Sequence, residues 1–572
     1  MRFRPVALFL LSAGFAVLLG ELAPVDAQTK EEKKQKRLEK LLKKATPAPR
    51  PVTEPDEVPP PRPPLPTVVP VPTKPDAVAL ARLIDAEINK KLAEAKIEAS
   101  PPASDEEFLR RAYLDITGTI PTAEQARAFL DSREPDKRAR LIDELLASPG
   151  YGRRMADIWI AKLFPRDSAN RFVLRQPLYK WLEDEFNANT PWDRFVSKLV
   201  TAEGTVEENP ATTYFLANRS IDKLTDTTAQ HFLGIQLQCA QCHNHPFTDW
   251  KQAEYWGMAA FYSKVKIDNP RNANKGGDNT KIGVTEGPGR TKVKDFFPES
   301  TKYVAAKFLS GPHPALSDQE PYRPVLAKWL TSPDNPFFAR ALVNRTWAHL
   351  FGTGFVNPID DMLPENTPSH PELLDALARH ISTTGRFDVK YLIKAICLSD
   401  AYQRTSKPTP GNKDDRALFS HMTMKVMTPE QLFDSLAQVT GFDKSMARGK
   451  GAKLGAPLKG QASGPRDQFV DFFLAGAEST SRVDYEAGIP QALRLMNSPI
   501  ANNPAVARTI VGPTLSSELA FERIYLTVLS RRPTAEEKKL LAEYLAKVGS
   551  PPTAYTDILW ATLNSSEFTL IR

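Results

Sequence analysis

The stretch Cys239-Ala240-Gln241-Cys242-His243-Asn244-His245-Pro246 concentrates two of the chain's three cysteines and two of its eight histidines. Cys-x-x-Cys-His is the spacing at which c-type haem is attached: two thiols add to the vinyl groups and the histidine becomes the proximal iron ligand. On this reading Cys239 and Cys242 are the thioether positions and His243 is the ligand. Met258, on the helix expected next, offers a sixth ligand, with His231 and His245 as further candidates. Two other readings stay open. Cys239, Cys242, His243 and His245 are four ligands suited to zinc, although one short loop strains to supply a whole tetrahedron. The two thiols could instead close a disulfide ring in an oxidising compartment or remain ordinary buried thiols, with no cofactor at all.

A second group of reactive side chains is Asp360, Asp361, Glu365, Asn366 and His370, interrupted by Pro364 and Pro368. A proline-bent loop can converge such groups on a hard cation, or pair a carboxylate with an imidazole for the acid–base work of a hydrolase. The plainer expectation is that Ser369 caps a helix opened by Pro371 and Glu372 while the acids face water. Gly449-Lys450-Gly451 lacks phosphate-loop spacing and Ser463 is not in a nucleophile elbow, so no catalytic residue is assigned. Cys397, near Leu392, Ile393 and Ile396, reads as a buried structural thiol.

The elements around these residues are helical. Val78, Leu80, Ile84, Ile88 and Leu92 recur on one face. Ser104 to Glu107 and Thr122 to Gln125 are capping boxes that start the next two helices. Further helices are expected over 137–147, 153–164, 177–187, from the Thr190-Pro191-Trp192-Asp193 start, over 222–237 into the cysteine motif, and over 250–262. Residues 265–312 turn to glycine, asparagine and lysine with short alternating stretches such as Lys281 to Val284. Helices resume at 322–330, 336–351, 369–381 and 389–398. Trp159, Trp181, Trp192, Trp256, Trp329 and Trp347 fall within helical patterns and are expected in the core. One pattern recurs: Arg111 to Ile116 followed by Pro121-Thr122-Ala123-Glu124 matches Arg523 to Val528 followed by Pro533-Thr534-Ala535-Glu536. Leu146 to Tyr151 then matches Leu563 to Phe568 after a five-residue shift. This predicts a helical unit present near both ends of the body.

The run from Ile84 to Val265 contains Ala112-Tyr113-Leu114-Asp115-Ile116-Thr117-Gly118, Leu146-Ala147-Ser148-Pro149-Gly150-Tyr151-Gly152 and the cysteine motif. It resembles the planctomycete-type cytochrome-like domain family. The later part resembles that family's usual C-terminal companion, a domain of unknown function. The motifs there are Leu316-Ser317-Asp318, Asn344-Arg345-Thr346-Trp347, Asp360-Asp361, Pro368 to Leu374, Pro490 to Asn497 and Asn564 to Phe568. The resemblance spans nearly all of 84–572. Longer relatives often carry a separate small cytochrome c module near the N-terminus, and here a proline-rich spacer occupies that place.

Together these readings predict a mainly α, multi-helical protein: two associated helical domains, 76–265 and 313–572, with a loop-rich connector of a few short strands at 266–312. Ahead of them, Arg2 and Arg4 precede an apolar run from Val6 to Leu19 and a small-residue site at Val25-Asp26-Ala27, the pattern of a signal peptide over 1–27. An uncleaved N-terminal anchor is the alternative. Residues 28–45 are lysine-rich and could contact an anionic surface. Thr46 to Pro75 holds 13 prolines, a stiff spacer able to reach roughly 90 Å at about 3.1 Å per residue. The net charge of +7 is mostly that tail's, leaving about +2 on the body, which gives no reason to expect nucleic acid. An exported, c-type-haem-bearing protein for redox or electron transfer in the periplasm or cell envelope is expected, with a redox partner or an envelope component to meet; the alternatives are an envelope binding or scaffold protein whose Cys-His motif is a structural metal site or disulfide, and a hydrolase using the Asp360 to His370 loop.

Overall fold

Apolar residues spaced three and four apart make this chain helical, and side-chain caps fix where many of the helices begin. The computed structural model describes residues 69–164, 175–246, 248–267, 282–288, 304–363, 366–441, 464–474, 496, 503–512 and 516–572. The expected signal peptide, lysine-rich segment, most of the proline-rich spacer, most of the connector and the Gly449 and Ser463 loop lie outside them.

Helix α1 (Ala77–Ala95) buries Leu80, Ile84, Ile88 and Leu92, and Asp76 caps it by accepting from the Val78 and Ala79 amides at 3.0 and 3.1 Å. There follow α2 (Asp105–Thr117), α3 (Ala123–Asp131), α4 (Lys137–Ala147), α5 (Pro149–Leu163), α6 (Arg175–Asn187) and α7 (Trp192–Val200). Short helices α8 (Thr213–Ala217) and α9 (Ile221–Thr228) lead into a π turn, Ala229–Leu233, then a 3-10 turn, Gln238–Gln241, and α10 (Gln252–Ala259). Three short strands, β1 (Gly204–Thr205), β2 (Val265–Ile267) and β3 (Gly283–Glu286), form an antiparallel sheet in the order β1-β3-β2, with Thr205 opposite Gly283 and Lys266 opposite Thr285. The chain continues through α11 (Arg323–Leu330), α12 (Phe338–Phe351), α13 (Pro371–Ser382), α14 (Val389–Leu398), α15 (Asp400–Gln403) and β4 (Lys425–Val426). Last come α16 (Pro429–Thr440), α17 (Pro465–Leu474), α18 (Pro504–Val511), α19 (Ser517–Leu529), α20 (Ala535–Val548), α21 (Pro551–Leu563), α22 (Ser566–Thr569) and β5 (Leu570–Ile571). The fold is mainly α, as its periodicity predicts. No helix among the described residues is long and apolar enough to cross a membrane.

Two apolar cores result. The larger runs from Leu80 through Tyr402 and Met422, so residues on both sides of the connector share it. Its aromatic centre includes Trp159 and Trp192, 4.6 Å apart between ring centroids, and Trp347 stacked on Phe351 at 4.3 Å. The smaller is built on α16–α22 and takes in Leu114 and Ile120 from the N-terminal part. Charges pin the seam between them. Arg110 donates to Val528 O at 2.9 Å and Phe568 O at 2.7 Å, and Arg111 to Tyr402 O at 2.7 Å and Arg572 O at 2.6 Å. Buried Asp115 accepts from Tyr402 Oη at 2.9 Å and Lys425 Nζ at 2.6 Å. A buried charge without such partners would cost several kcal/mol, so each of these groups is held by several bonds.

Some boundaries depart from the sequence expectation for local reasons. The helix expected to reach Leu237 ends at Leu233, because the next residue, Gly234, turns left-handed with φ +70°. Helix α5 begins at Pro149 rather than Arg153, since proline suits a first-turn position. Ser104 caps α2, accepting from the Glu107 amide at 3.3 Å, but the box is not reciprocal: the Glu107 carboxylate binds Arg111, Thr405 and the Ser406 amide instead. Ser369 does not cap α13; His370 holds the cap position and the Ser369 hydroxyl bonds its Nδ1 at 3.0 Å.

The two similar sequence units have matching local structure. Helices α2 and α19 are both 13 residues, capped by Ser104 and Ser516, and both end in a left-handed residue, Gly118 and Ser530. They bury equivalent positions: Phe108, Leu109, Ala112, Leu114 and Ile116 against Ala520, Phe521, Ile524, Leu526 and Val528. Reciprocal capping boxes at Thr122 and Thr534 then open α3 and α20. Ser148 Oγ donates to Leu145 O at 2.8 Å as Ser565 Oγ does to Thr562 O at 2.7 Å, ahead of buried Tyr151 and Phe568. Tyr113 and Tyr525 take the same step of their helices, and burial pushes both phenols up to about 12.

Candidate functional site

Ala240 is the anchor of the cysteine motif. It is fully buried, while Cys239, Cys242 and His243 on either side of it are exposed and both cysteines are free thiols. The tight 3-10 turn Gln238–Gln241 puts the small residue inward and the sulfurs outward. Helix α10 grips the turn from one side: Trp256 Nε1 and Gln252 Nε2 both donate to Gln241 O at 3.1 Å, and Asn244 Oδ1 accepts from the Gln252 amide at 2.9 Å. His243 Nδ1 lies 2.7 Å from Asn244 O. A carbonyl can only accept, so Nδ1 carries a proton, and in the neutral ring Nε2 is the nitrogen left for a metal. His245, half-buried, is tied by its amide to Trp250 O at 2.8 Å.

The companion half of the chain fixes the approach to the motif. A π turn leaves backbone groups displaced from the α-helical ladder, and Arg345 Nη2 meets one, Gln230 O, at 3.3 Å. The same guanidinium is ion-paired with Asp360, whose Oδ2 accepts from Gln230 Nε2 at 3.3 Å and lies 3.9 Å from His231 Nδ1. Burial, with Arg345 and Lys162 nearby, holds the His231 imidazole well below its usual range, so it is neutral. Gly234 O accepts from the Met362 amide at 2.8 Å. Residues from α12 and the 360–362 loop thus hold the turn five residues before Cys239.

Near Cys242 are a buried phenol and a half-buried carboxyl that no sequence pattern singles out. Tyr255 is fully buried on α10, and its phenol, beside the Asp226 carboxyl of α9 and near Cys242, is raised far above its ordinary value, chiefly by burial. Burial, with Asp222 adding its charge, pushes Asp226 up to about 6. An acid and a tyrosine on two helices flanking a cysteine turn are unremarkable in sequence, since their meeting depends on how the helices pack.

The candidates do not all converge. Met258 is fully buried in the larger core, away from solvent, unlike the exposed sulfurs. His231 faces Asp360. Among the described residues no group of three or more His, Cys, Asp or Glu side chains is gathered as a metal site. Asp360 is paired with Arg345, and Asp361 continues the same turn, its amide donating to Pro358 O at 3.1 Å. Glu365 lies outside the described residues. His370 is buried between Phe355 and Phe419, its ring held by Ser369, so it is a core residue and not one face of an acid–base pair with Asp360. Cys397 is fully buried, as expected. Arg345 is the residue that sequence reasoning missed; its signal was an arginine amid the apolar Leu342, Val343, Trp347 and Ala348 of α12, where a buried guanidinium requires an anion.

The donor set suits covalent haem: two free, exposed thiols at the required spacing and an adjacent imidazole with Nε2 available. Compared with family models, residues 83–267 match PSCyt2, described as a protein of unknown function (DUF1549), and residues 322–545 match PSD1, described as a protein of unknown function (DUF1553). The cysteine motif lies in the first match, and Arg345, Asp360 and His370 in the second. No curated protein and no solved structure matches the chain.

Proposed function

We propose, for a chain that belongs to the PSCyt2 family and carries the PSD1 companion domain, that it is an exported redox protein of the cell envelope bearing a c-type haem. Cys239 and Cys242 would form the thioether bonds and His243 Nε2 would be the proximal ligand. A haem there supplies reversible one-electron transfer. The chain's own residues do the rest. Ala240 roots the turn, Gln252 and Trp256 hold its carbonyl, and Asn244 O keeps the His243 tautomer and ring orientation. The exposure of the motif suits contact with a redox partner or envelope component, and the N-terminal spacer would give the body reach, its lysine-rich end meeting an anionic surface.

The observation that carries this reading is His243 Nδ1 bonded to Asn244 O beside two free, exposed thiols. The test is a visible absorption spectrum of protein made with a haem-maturation system, after denaturation has removed loosely bound haem. Retained haem absorbance is expected. The Cys239→Ala, Cys242→Ala double variant should lose it, while His243→Ala should keep covalent haem and change the spectrum. A colourless protein would overturn the reading, whether it holds stoichiometric zinc lost to a chelator or carries a Cys239–Cys242 disulfide seen by mass.

A further inference from the structure

Helix α20 has 14 residues and buries none of them. Leu541 and Leu545 lean on the smaller core, but Leu540 is 64% exposed, and Tyr544 is 38% exposed with its hydroxyl donating to Asp557 Oδ2 of α21 at 2.8 Å, which leaves its ring edge open. Its counterpart in the first unit, α3, is covered: Ala126 and Phe129 are buried, and α19 lies against it with Arg127 3.6 Å from Glu522 and Arg532 2.8 Å from Asp131. The free helix keeps the same signs at the equivalent positions, Lys539 for Arg127 and Glu543 for Asp131. Among the described residues none of Glu536, Lys539, Glu543 and Lys547 has an ion-pair partner.

We propose that the outer face of α20 is a self-complementary surface on which a second copy of this chain docks. Glu536, Leu540, Glu543, Tyr544 and Lys547 recur at spacings of three and four, so they share one side of the helix. Glu536 and Lys547 stand about equally far from the Leu540–Tyr544 pair, towards opposite ends. In an antiparallel, two-fold arrangement Glu536 of each copy meets Lys547 of the other, Leu540 meets Tyr544, and Lys539 meets Glu543. An isologous contact requires this symmetry of sign and spacing. A parallel pairing would set like charges side by side. One helix pair covers less than the about 800 Å² per partner of a standard interface, so the association is weak and depends on concentration and salt.

Sedimentation equilibrium of the mature full chain, under reducing conditions and over a concentration series at low salt, tests the proposal. A monomer–dimer equilibrium is expected. Lys547→Glu should weaken it about tenfold or more by setting Glu536 against a like charge, and Leu540→Ser should weaken it similarly. The double swap Glu536→Lys, Lys547→Glu should restore it. All these side chains are exposed, so folding should be unchanged, which circular dichroism checks. A chain that stays monomeric throughout overturns the proposal, as does a dimer indifferent to Leu540→Ser and Lys547→Glu, or one that the double swap fails to rescue.

Discussion

His370 sits with ring centroids 5.8 Å from Phe355 and 5.4 Å from Phe419, and burial pushes its imidazole down to about 4. Its folded value lies below the ordinary 6.5, so its contribution is fully present above pH 6.5 and is lost as pH falls through 4. Replacing it with a residue that cannot ionise should flatten that loss: in His370→Phe, stability between pH 7 and 4.5 should fall less than in the parent, by on the order of 2–3 kcal/mol. Denaturant melts at the two pH values measure this, and an equal fall in both proteins would refute it. His349, pushed down to about 3 by burial, keeps part of the sensitivity in both. Met258 belongs to the same kind of environment. Met258→Ala should cost about 2–5 kcal/mol as a core truncation and leave the spectrum of any attached haem unchanged, whereas a spectral change would make it an iron ligand.

Among the elements, the turn from α9 to the cysteine motif is held by distant neighbours, Arg345, Asp360 and Met362. Gly234 has φ +70°, and a Cβ there would lie 3.2 Å from Met362 Cγ and Sδ. Gly234→Ala should therefore lower stability by about 1–2 kcal/mol and raise amide exchange over 229–245, with exchange in α4 unchanged. A uniform rise across the molecule would count against a local role. This is also where sequence reasoning stopped short. Helices over 137–147 and 389–398 were legible to the residue, because their apolar period and flanking serines are local signals. The π turn was not, since it is held by Arg345, Asp360 and Met362, more than a hundred residues on. The Cys-x-x-Cys-His spacing is plain in the chain, but the exposure of its sulfurs, the burial of Met258 and the placing of His370 between Phe355 and Phe419 are set by packing. The pairing of β4 with β5, Lys425 opposite Ile571, joins segments too short and too distant to carry any periodic signal.

At the scale of the whole molecule, the two family segments share their interiors. Residues 83–267 and 322–545 both contribute to the larger core, and the smaller one borrows Leu114 and Ile120 from the first segment. The buried charges of α2 find their partners in the second half of the chain: Arg110 in Val528 and Phe568, Arg111 in Tyr402 and Arg404, Asp115 in Tyr402 and Lys425. A piece comprising 76–265 alone would expose these groups together with one side of the larger core. The apolar surface so exposed forfeits roughly 25 cal/mol per Å² of burial, against a total stability of about 5–15 kcal/mol for an ordinary domain. The piece should therefore fail to fold, and the body should unfold as one unit. Scanning calorimetry of the full chain should give a single transition whose calorimetric and van't Hoff enthalpies agree. Two resolved transitions, or a 76–265 piece with a cooperative melt of its own, would mean that the halves are stable separately and that the carbonyls gripping Arg110 and Arg111 only dock one finished domain on another.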